Sequence, residues 1–240
     1  MLITWPMITS IGEQLADILP AEVMMTMVHA SEHIILKRPI RPGNKLRING
    51  RIEAVLAKYA GTLVVVRFEG RNTKDDSAVF TEYTGGMLRG IECADSGSKA
   101  DTLPEIPSSQ GYLEPLWKSE IEISPVAAHL YDGCTNIVFP IHTSKAIAKG
   151  IGLPDIILQG TATMALAVRE IVNHEANRNP MNVIEVACRF SDIVVPGSTI
   201  VVELLARQDG NRGRHLNFRV INSMTKEAIK LGYMLLKSPK

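Results

Sequence analysis

Residues 191–200 read Ser-Asp-Ile-Val-Val-Pro-Gly-Ser-Thr-Ile, and residues 37–46 follow the same outline with Lys-Arg-Pro-Ile-Arg-Pro-Gly-Asn-Lys-Leu. In both stretches a Pro-Gly turn leads into alternating strand residues, and the stretches lie 154 positions apart. A second register mark, Thr73 with Thr225, gives a shift of 152 positions. Because the two shifts nearly agree, the sequence indicates an internal repeat in which each copy is one structural unit.

Each copy reads as one helix followed by several antiparallel strands. The strand runs alternate and are rich in Val, Leu and Phe, a pattern typical of antiparallel hairpins. The helix is clearest in the second copy, where residues 156–172 are apolar nearly all round and are therefore expected to be buried against a sheet. Its counterpart in the first copy, residues 11–19, is shorter and more polar. The predicted fold class is α+β.

The two copies are joined by a stretch rich in Ser, Asp, Gly and Pro, which is typical of a linker. We therefore expect an N-terminal repeat at residues 1–92, a linker at 93–111 and a C-terminal repeat at 112–240. Residues 120–155 have no counterpart in the first copy. We expect this segment to hold the functional site and the first copy to shape a pocket.

The charge and cysteine patterns exclude several classes of function. The 26 basic and 25 acidic residues nearly cancel, so the chain has no field of one sign to attract nucleic acid or an anionic membrane. Three distant cysteines without a C-x-x-C pair favour a reducing cytoplasm. His29 and His33 have a ligand spacing, but no carboxylate or cysteine cluster joins them. We expect no metal, no cofactor and no membrane span.

Two residues near the second helix are candidates for chemistry. His142 follows Pro140 on a stretch broken by Gly and Pro, and its side chain can act as an acid, a base or a donor near neutral pH. The alternative is a loop histidine. Gly160 and Thr161 lie where the helix can begin, so that a free amide there can hold a developing oxyanion. The alternative is a Gly160 that lets the helix lie close to the sheet.

These residues carry a resemblance to a known family. Pro140, Ile141, His142, Gly160 and Thr163 match the signature of the MaoC-like hydratases and dehydratases, roughly G-D-x-N-P-(I/L)-H followed by H-G-x-x-T. The first copy resembles the N-terminal half of double hot-dog members of that family. The resemblance implies a double hot-dog fold, in which two antiparallel sheets are each wrapped around a central helix.

The resemblance also implies a reaction of fatty acid metabolism. Water adds to a trans-2-enoyl thioester, or leaves from a 3-hydroxyacyl thioester. In this chain His142 would be the acid/base and the amide of Gly160 would donate to the thioester oxygen. Both groups would then stabilise one enolate-like transition state.

The chain departs from the signature at three positions. The family's Asp, five residues before the histidine, is Ile137 here, the Asn three before it is Phe139, and the His before the helix glycine is Gln159. Asn136 is one helper that can orient water. Asp132 is another, provided that the loop folds back to His142, although a surface turn residue is the commoner outcome.

Further residues around the site carry weaker expectations. Thr161, Lys145 and Arg89 are candidates for substrate binding, since the two cations can meet the phosphates of coenzyme A, although exposed cations are usually only solvated. We expect Cys134 to be buried and inert. Asp155 is expected to help cap the long helix.

Three functions follow, in order of preference. The first is a cytoplasmic acyl-CoA hydratase or dehydratase. The second is a hot-dog thioesterase that uses Asn136 at the carbonyl. The third is a non-catalytic acyl-thioester-binding subunit, because the usual Asp is missing. The expected partners are an acyl-CoA thioester and either a second copy in a homodimer or another chain in a hetero-complex.

Overall fold

A computed structural model describes residues 3–17, 19–24, 27–93, 103–108 and 114–238. The chain divides into two compact units. The first runs from Met1 to Ile106 and includes Ile184–Ala187, and the second consists of Pro107–Val183 and Cys188–Lys240. The division lies inside the predicted linker, of which residues 94–102 and 109–111 are outside the described residues.

The first unit is a helix packed on an antiparallel sheet. Strand order is β2-β3-β4-β1, followed by the part of β6 that belongs to this unit. Met7, Ile8 and Ile11 of the helix pack against a buried cluster around Phe68 and Phe80 of the sheet. The elements are α1 (Trp5–Ala16), α2 (Ala21–Met24), β1 (Met27–Leu36), β2 (Leu46–Lys58), β3 (Gly61–Asn72) and β4 (Ala78–Arg89).

The first helix differs from its prediction. The sequence pattern placed it at residues 11–19, whereas α1 spans Trp5–Ala16. Pro6 explains the early start, because proline is favoured in the first turn of a helix, where no intrahelical partner for its amide is needed.

The second unit has the same plan with added elements before its helix. Strand order is β6-β9-β8-β7-β5, where Val183 and Cys188–Phe190 are the parts of β6 in this unit. The elements are β5 (Trp117–Glu122), α3 (Ala127–Thr135), a 3₁₀ turn (Pro140–His142), α4 (Lys145–Gly150), α5 (Gly160–Glu175), a 3₁₀ turn (Pro180–Asn182), β6 (Val183–Phe190), β7 (Thr199–Gly210), β8 (Gly213–Ile221) and β9 (Glu227–Leu236).

The repeat is present in the backbone, and two glycines show it most sharply. Gly61 and Gly213 begin β3 and β8, with φ of +135° and +134°. A Cβ atom at these positions would lie 2.1 Å from the Leu88 carbonyl oxygen and 2.0 Å from the Leu236 carbonyl oxygen, respectively. Only glycine fits such a backbone. The same constraint therefore recurs 152 positions along the chain, as the sequence predicts.

Helix α5 lies at the centre of the second unit, where it buries Ala167 and Ile171 completely. It begins at Gly160, four residues after the apolar run starts, because Ile156 to Leu158 are extended rather than helical. At its other end Glu175 accepts hydrogen bonds from Trp117 Nε1 and from Arg207 Nε, both at 2.8 Å. These bonds attach the end of the helix to β5 and β7.

The described part of the chain has neither a membrane-spanning helix nor a cluster of metal ligands. No helix there is long and apolar enough to span a bilayer. No group of three or more His, Cys, Asp or Glu side chains in those residues could hold a metal ion.

A cluster of buried ionisable groups lies in the first unit. Burial, together with the neighbouring Glu32 carboxyl, raises the pKa of Glu82 to about 8. Burial also raises the pKa of Glu32 and lowers that of His29 to about 4. Thr4 Oγ1 donates to Glu82 Oε1 at 3.0 Å and His29 Nε2 lies 3.1 Å from Glu32 Oε2. Burial and the neighbouring carboxyl therefore both favour the protonated form of Glu82.

This cluster predicts that stability falls as pH rises. The folded pKa of Glu82 exceeds its ordinary value of 4.5, so its stabilisation is complete below 4.5 and is lost as pH rises through about 8. Glu82→Gln, which keeps an oxygen to accept from Thr4, should flatten the dependence of Tm on pH between 6 and 9. Glu13→Gln, at an exposed position on α1, is the matched control. Equal slopes in wild type and Glu82→Gln would contradict the prediction.

Candidate active site

His142 ends the 3₁₀ turn Pro140–His142, where the chain bends toward α5. Its amide donates to the Phe139 carbonyl at 3.0 Å, and its Nδ1 lies 2.8 Å from the Ile157 carbonyl oxygen. Because a carbonyl only accepts, Nδ1 carries the proton of the neutral ring. Nε2 is then left with a lone pair that can accept a proton.

The surroundings of His142 keep the ring neutral. Burial lowers the pKa of His142 below its ordinary value of 6.5, while the Ile157 carbonyl and the negative charge of Asp132 oppose that shift. Desolvation of the charged form is the larger effect, so the imidazole can serve as a base at neutral pH.

The start of α5 provides the second group. Gly160 is the first helical residue, as expected, and Gln159 precedes it with extended backbone and a side chain that makes no capping bond. The first amides of the helix therefore have no intrahelical acceptor and lie at its positive end. A Cβ atom on Gly160 would come within 3.0 Å of the Phe190 ring, so the packing role weighed for this glycine also has support.

Asp132 is not the surface turn residue that its sequence context favoured. It lies on α3 with 5% of its surface exposed, beside Gln159 with 2%. Gln159 Nε2 donates to Asp132 Oδ1 and, at 3.1 Å, to the Ala128 carbonyl. Within the described part of the chain, Asp132 Oδ2 and Gln159 Oε1 are buried and have no hydrogen-bond partner. The alternative of a surface turn was therefore wrong.

Position 137 is apolar and buried, and its neighbour Asn136 is exposed. Ile137 is 5% exposed, so the place of the family's Asp is filled by an apolar side chain. Asn136 is exposed and ends α3 in the left-handed conformation, with φ of 55°. Its amide donates to the Asp132 carbonyl at 2.8 Å. Asn136 thus has a clear structural role as the C-cap of α3.

The three candidate binding residues lie on different elements. Thr161 is buried and its Oγ1 accepts from Tyr131 Oη at 3.0 Å. Lys145 is exposed, with Nζ 3.3 Å from Asp155 Oδ2. Arg89 is exposed at the end of β4, in the first unit. The structure therefore brings Thr161 to the start of α5 and pairs Lys145 with the half-buried Asp155.

Two lesser expectations need correction. Cys134 is exposed on α3 rather than buried, because it lies on the outer side of a helix that the Gly-containing sequence did not predict. Asp155 does not cap α5, whose N-cap is Gln159. Asp155 Oδ1 instead accepts from the Ile156 amide at 2.7 Å.

Sequence reasoning did not find the partnership of Gln159 with Asp132. The two residues are 27 positions apart, and their contact depends on how α3 packs. One signal was available in the sequence: Gln159 is itself a departure from the expected pattern, directly before the helix glycine. Tyr131 and the Ile157 carbonyl were also missed as partners of site residues.

Comparison with known proteins gives the following relatives. The family described as "MaoC like domain" matches residues 113–228. A peroxisomal enoyl-CoA hydratase 2 of Arabidopsis thaliana is 27% identical over 188 residues, which cover 74% of this chain and 59% of that protein. A 3-hydroxyacyl-thioester dehydratase Y of Mycobacterium tuberculosis is 26% identical over 191 residues, with coverages of 77% and 63%. The chain thus spans about three fifths of the length of these relatives.

Solved structures agree on the fold. A MaoC-like dehydratase from Phytophthora capsici has a TM-score of 0.80 at 20% identity, covering 92% of this chain and 75% of that one. A Mycobacterium tuberculosis protein described as having a double hot-dog fold has a TM-score of 0.54 at 15% identity, with coverages of 87% and 74%. The predicted α+β double hot-dog fold is therefore confirmed.

The site geometry predicts the pKa and the tautomer of the His142 ring. His142 should be neutral, with the proton on Nδ1, down to a pH below 6.5, because burial disfavours the imidazolium form. Long-range ¹⁵N–¹H spectra recorded across pH 4.5 to 8 measure both the tautomer and the pKa of the ring. The ring signals that disappear in His142→Asn are assigned to His142. A pKa at or above 6.5, or a proton on Nε2, would contradict this geometry.

Proposed function

We propose that this protein, whose residues 113–228 match the family described as "MaoC like domain", is a hydro-lyase that adds water to an enoyl thioester or removes it from a 3-hydroxyacyl thioester. The observation that carries the proposal is the pair of groups around the entry to α5. His142 presents Nε2 as an acceptor, and Gly160 begins the helix with an amide free of intrahelical bonding.

The proposed reaction uses both groups at once. In the hydration direction His142 Nε2 accepts a proton from water while the water oxygen bonds to carbon 3. The electron pair of the double bond moves toward the thioester carbonyl, whose oxygen accepts a hydrogen bond from the Gly160 amide. Nε2 then returns the proton to carbon 2. The two carbons together gain one water molecule, and the enzyme returns to its starting state.

The substrate is proposed to be an acyl-CoA thioester, in line with the names of the two relatives. Lys145 is proposed to meet a phosphate of the carrier. Lys145 can do so because its side chain is exposed and its ion pair with Asp155 is therefore weak. Thr161 is proposed to contact the acyl thioester near the start of α5. We also propose that the protein acts in the cytoplasm, as a homodimer or in a hetero-complex.

The first test is a spectrophotometric assay with trans-2-enoyl-CoA substrates of several chain lengths. Loss of the enoyl absorbance should be catalysed by wild type, and His142→Ala should be slower by about 10²–10⁴-fold, the usual contribution of a positioned acid/base. His174→Ala, an exposed histidine near the other end of α5, is the matched control. Release of free thiol instead would indicate a thioesterase, and no reaction in either channel would indicate a binding subunit.

A second test isolates the amide of Gly160. Proline is tolerated as the first helical residue, and the extended backbone of Gln159, with ψ of 136°, suits the position before a proline. Gly160→Pro removes the N–H, whereas Gly160→Ala keeps it and adds the same Cβ against Phe190. We expect kcat of the Pro variant to fall about 10²–10³-fold below that of the Ala variant. Equal kcat values in two folded variants would rule out the amide as oxyanion donor.

A further inference from the structure

We propose that Asp132, held in place by Gln159, is the carboxylate that orients the attacking water. Asp132 and Gln159 would together compensate for the absence of an acid at position 137. This inference rests on the proposed function and names a further catalytic residue for it. Gln159 is the positioning residue of the pair.

The position of Asp132 follows from α3. Helix α3 buries only Ala128 and Asp132, which are four residues apart and therefore share one face. Ile137 lies just beyond the helix end and is itself buried. The inner face of α3 thus carries a carboxylate at a position where packing requires only an apolar side chain. A buried carboxylate is costly unless its oxygens are paired.

The segment of residues 157–159 makes hydrogen bonds to both Asp132 and His142. The carbonyl of Ile157 accepts from His142 Nδ1 at 2.8 Å, and two residues later Gln159 donates through its side chain to Asp132 Oδ1. Among the described residues, Asp132 is the charged side chain whose field acts on the His142 ring. The carboxylate and the imidazole are therefore both fixed to the same backbone, directly before the Gly160 amide.

The unsatisfied atoms indicate what the pair binds. Asp132 Oδ2 is a buried acceptor without a partner in the described part of the chain, and such atoms are rare because they cost free energy. His142 Nε2 is a second acceptor in the same neighbourhood. A water molecule has two hydrogens to donate. One donated to Nε2 and the other to Oδ2 would fix the orientation of its oxygen toward carbon 3.

The proton balance leaves Asp132 unchanged. Nε2 takes one hydrogen of the water and later returns it to carbon 2, while the other hydrogen stays on the oxygen that bonds to carbon 3. Asp132 accepts a hydrogen bond throughout and stabilises the transient imidazolium through its negative charge. Gln159 suits this task because its amide donates both to Asp132 and to the Ala128 carbonyl and does not titrate.

Asp132→Asn tests the proposal with two readouts. It removes the charge at nearly constant shape, so kcat/KM with trans-2-enoyl-CoA should fall about 10²-fold or more. The NMR pKa of His142 should also decrease, because the negative charge that favours the imidazolium is gone. Asp17→Asn, the same change at an exposed carboxylate at the end of α1, is the matched control and should stay within about threefold of wild type.

Gln159 is tested by rescue. Gln159→Leu removes both donated hydrogen bonds and should lower kcat about tenfold or more, the factor expected for losing bonds to a charged group. Gln159→His restores a donor and should recover part of that loss, whereas activity no higher than that of Gln159→Leu would overturn the positioning role of Gln159.

The outcomes separate this inference from the proposed function. If wild type hydrates the substrate but Asp132→Asn keeps more than a third of the activity, or leaves the His142 pKa unchanged, the role of Asp132 is overturned. If wild type shows no hydration, the proposed function fails. The pKa readout still decides the pairing in that case, since a decreased His142 pKa supports it and an unchanged one overturns it.

Discussion

The hydrogen bond from the Leu158 amide to the Val194 carbonyl, 2.7 Å long, fixes the extended segment that leads into α5, and the site depends on this segment. Ile157 on one side of Leu158 holds the ring of His142, and Gln159 on the other side holds Asp132. Gly160 then begins the helix. Four consecutive residues therefore set the tautomer of His142, the position of the Asp132 carboxylate and the direction of the Gly160 amide.

Burial gives this segment its chemical character. Desolvation lowers the pKa of His142, so that the ring can accept a proton at neutral pH, and the same low dielectric strengthens the effect of the Asp132 charge on it. Buried polar atoms without partners, at Asp132 and Gln159, are destabilising for the fold alone. Their presence beside a perturbed histidine is what a functional site would show.

The sequence predicted the repeat and the fold class, because Pro-Gly turns and strand alternation depend on local backbone requirements, and a further requirement of that kind recurs at Gly61 and Gly213. The helix expected at residues 156–172 begins four residues later, at Gly160. The environment of Asp132 was not predictable in that way. Gly133 and the polar residues nearby suggested a turn, whereas the segment forms α3 and turns Asp132 inward. Its bond to Gln159 is a tertiary contact, which spacing along the chain does not reveal.

The most direct test of the account is to follow solvent oxygen during turnover of a trans-2-enoyl-CoA in H₂¹⁸O. Water activated by His142, with the thioester carbonyl polarised by Gly160, must place its oxygen on carbon 3. The account therefore predicts a 3-hydroxyacyl thioester that carries one ¹⁸O at carbon 3 and none at the carbonyl. Appearance of ¹⁸O in the carboxylate of a free acid, with the double bond intact, would contradict the account and establish thioester hydrolysis instead.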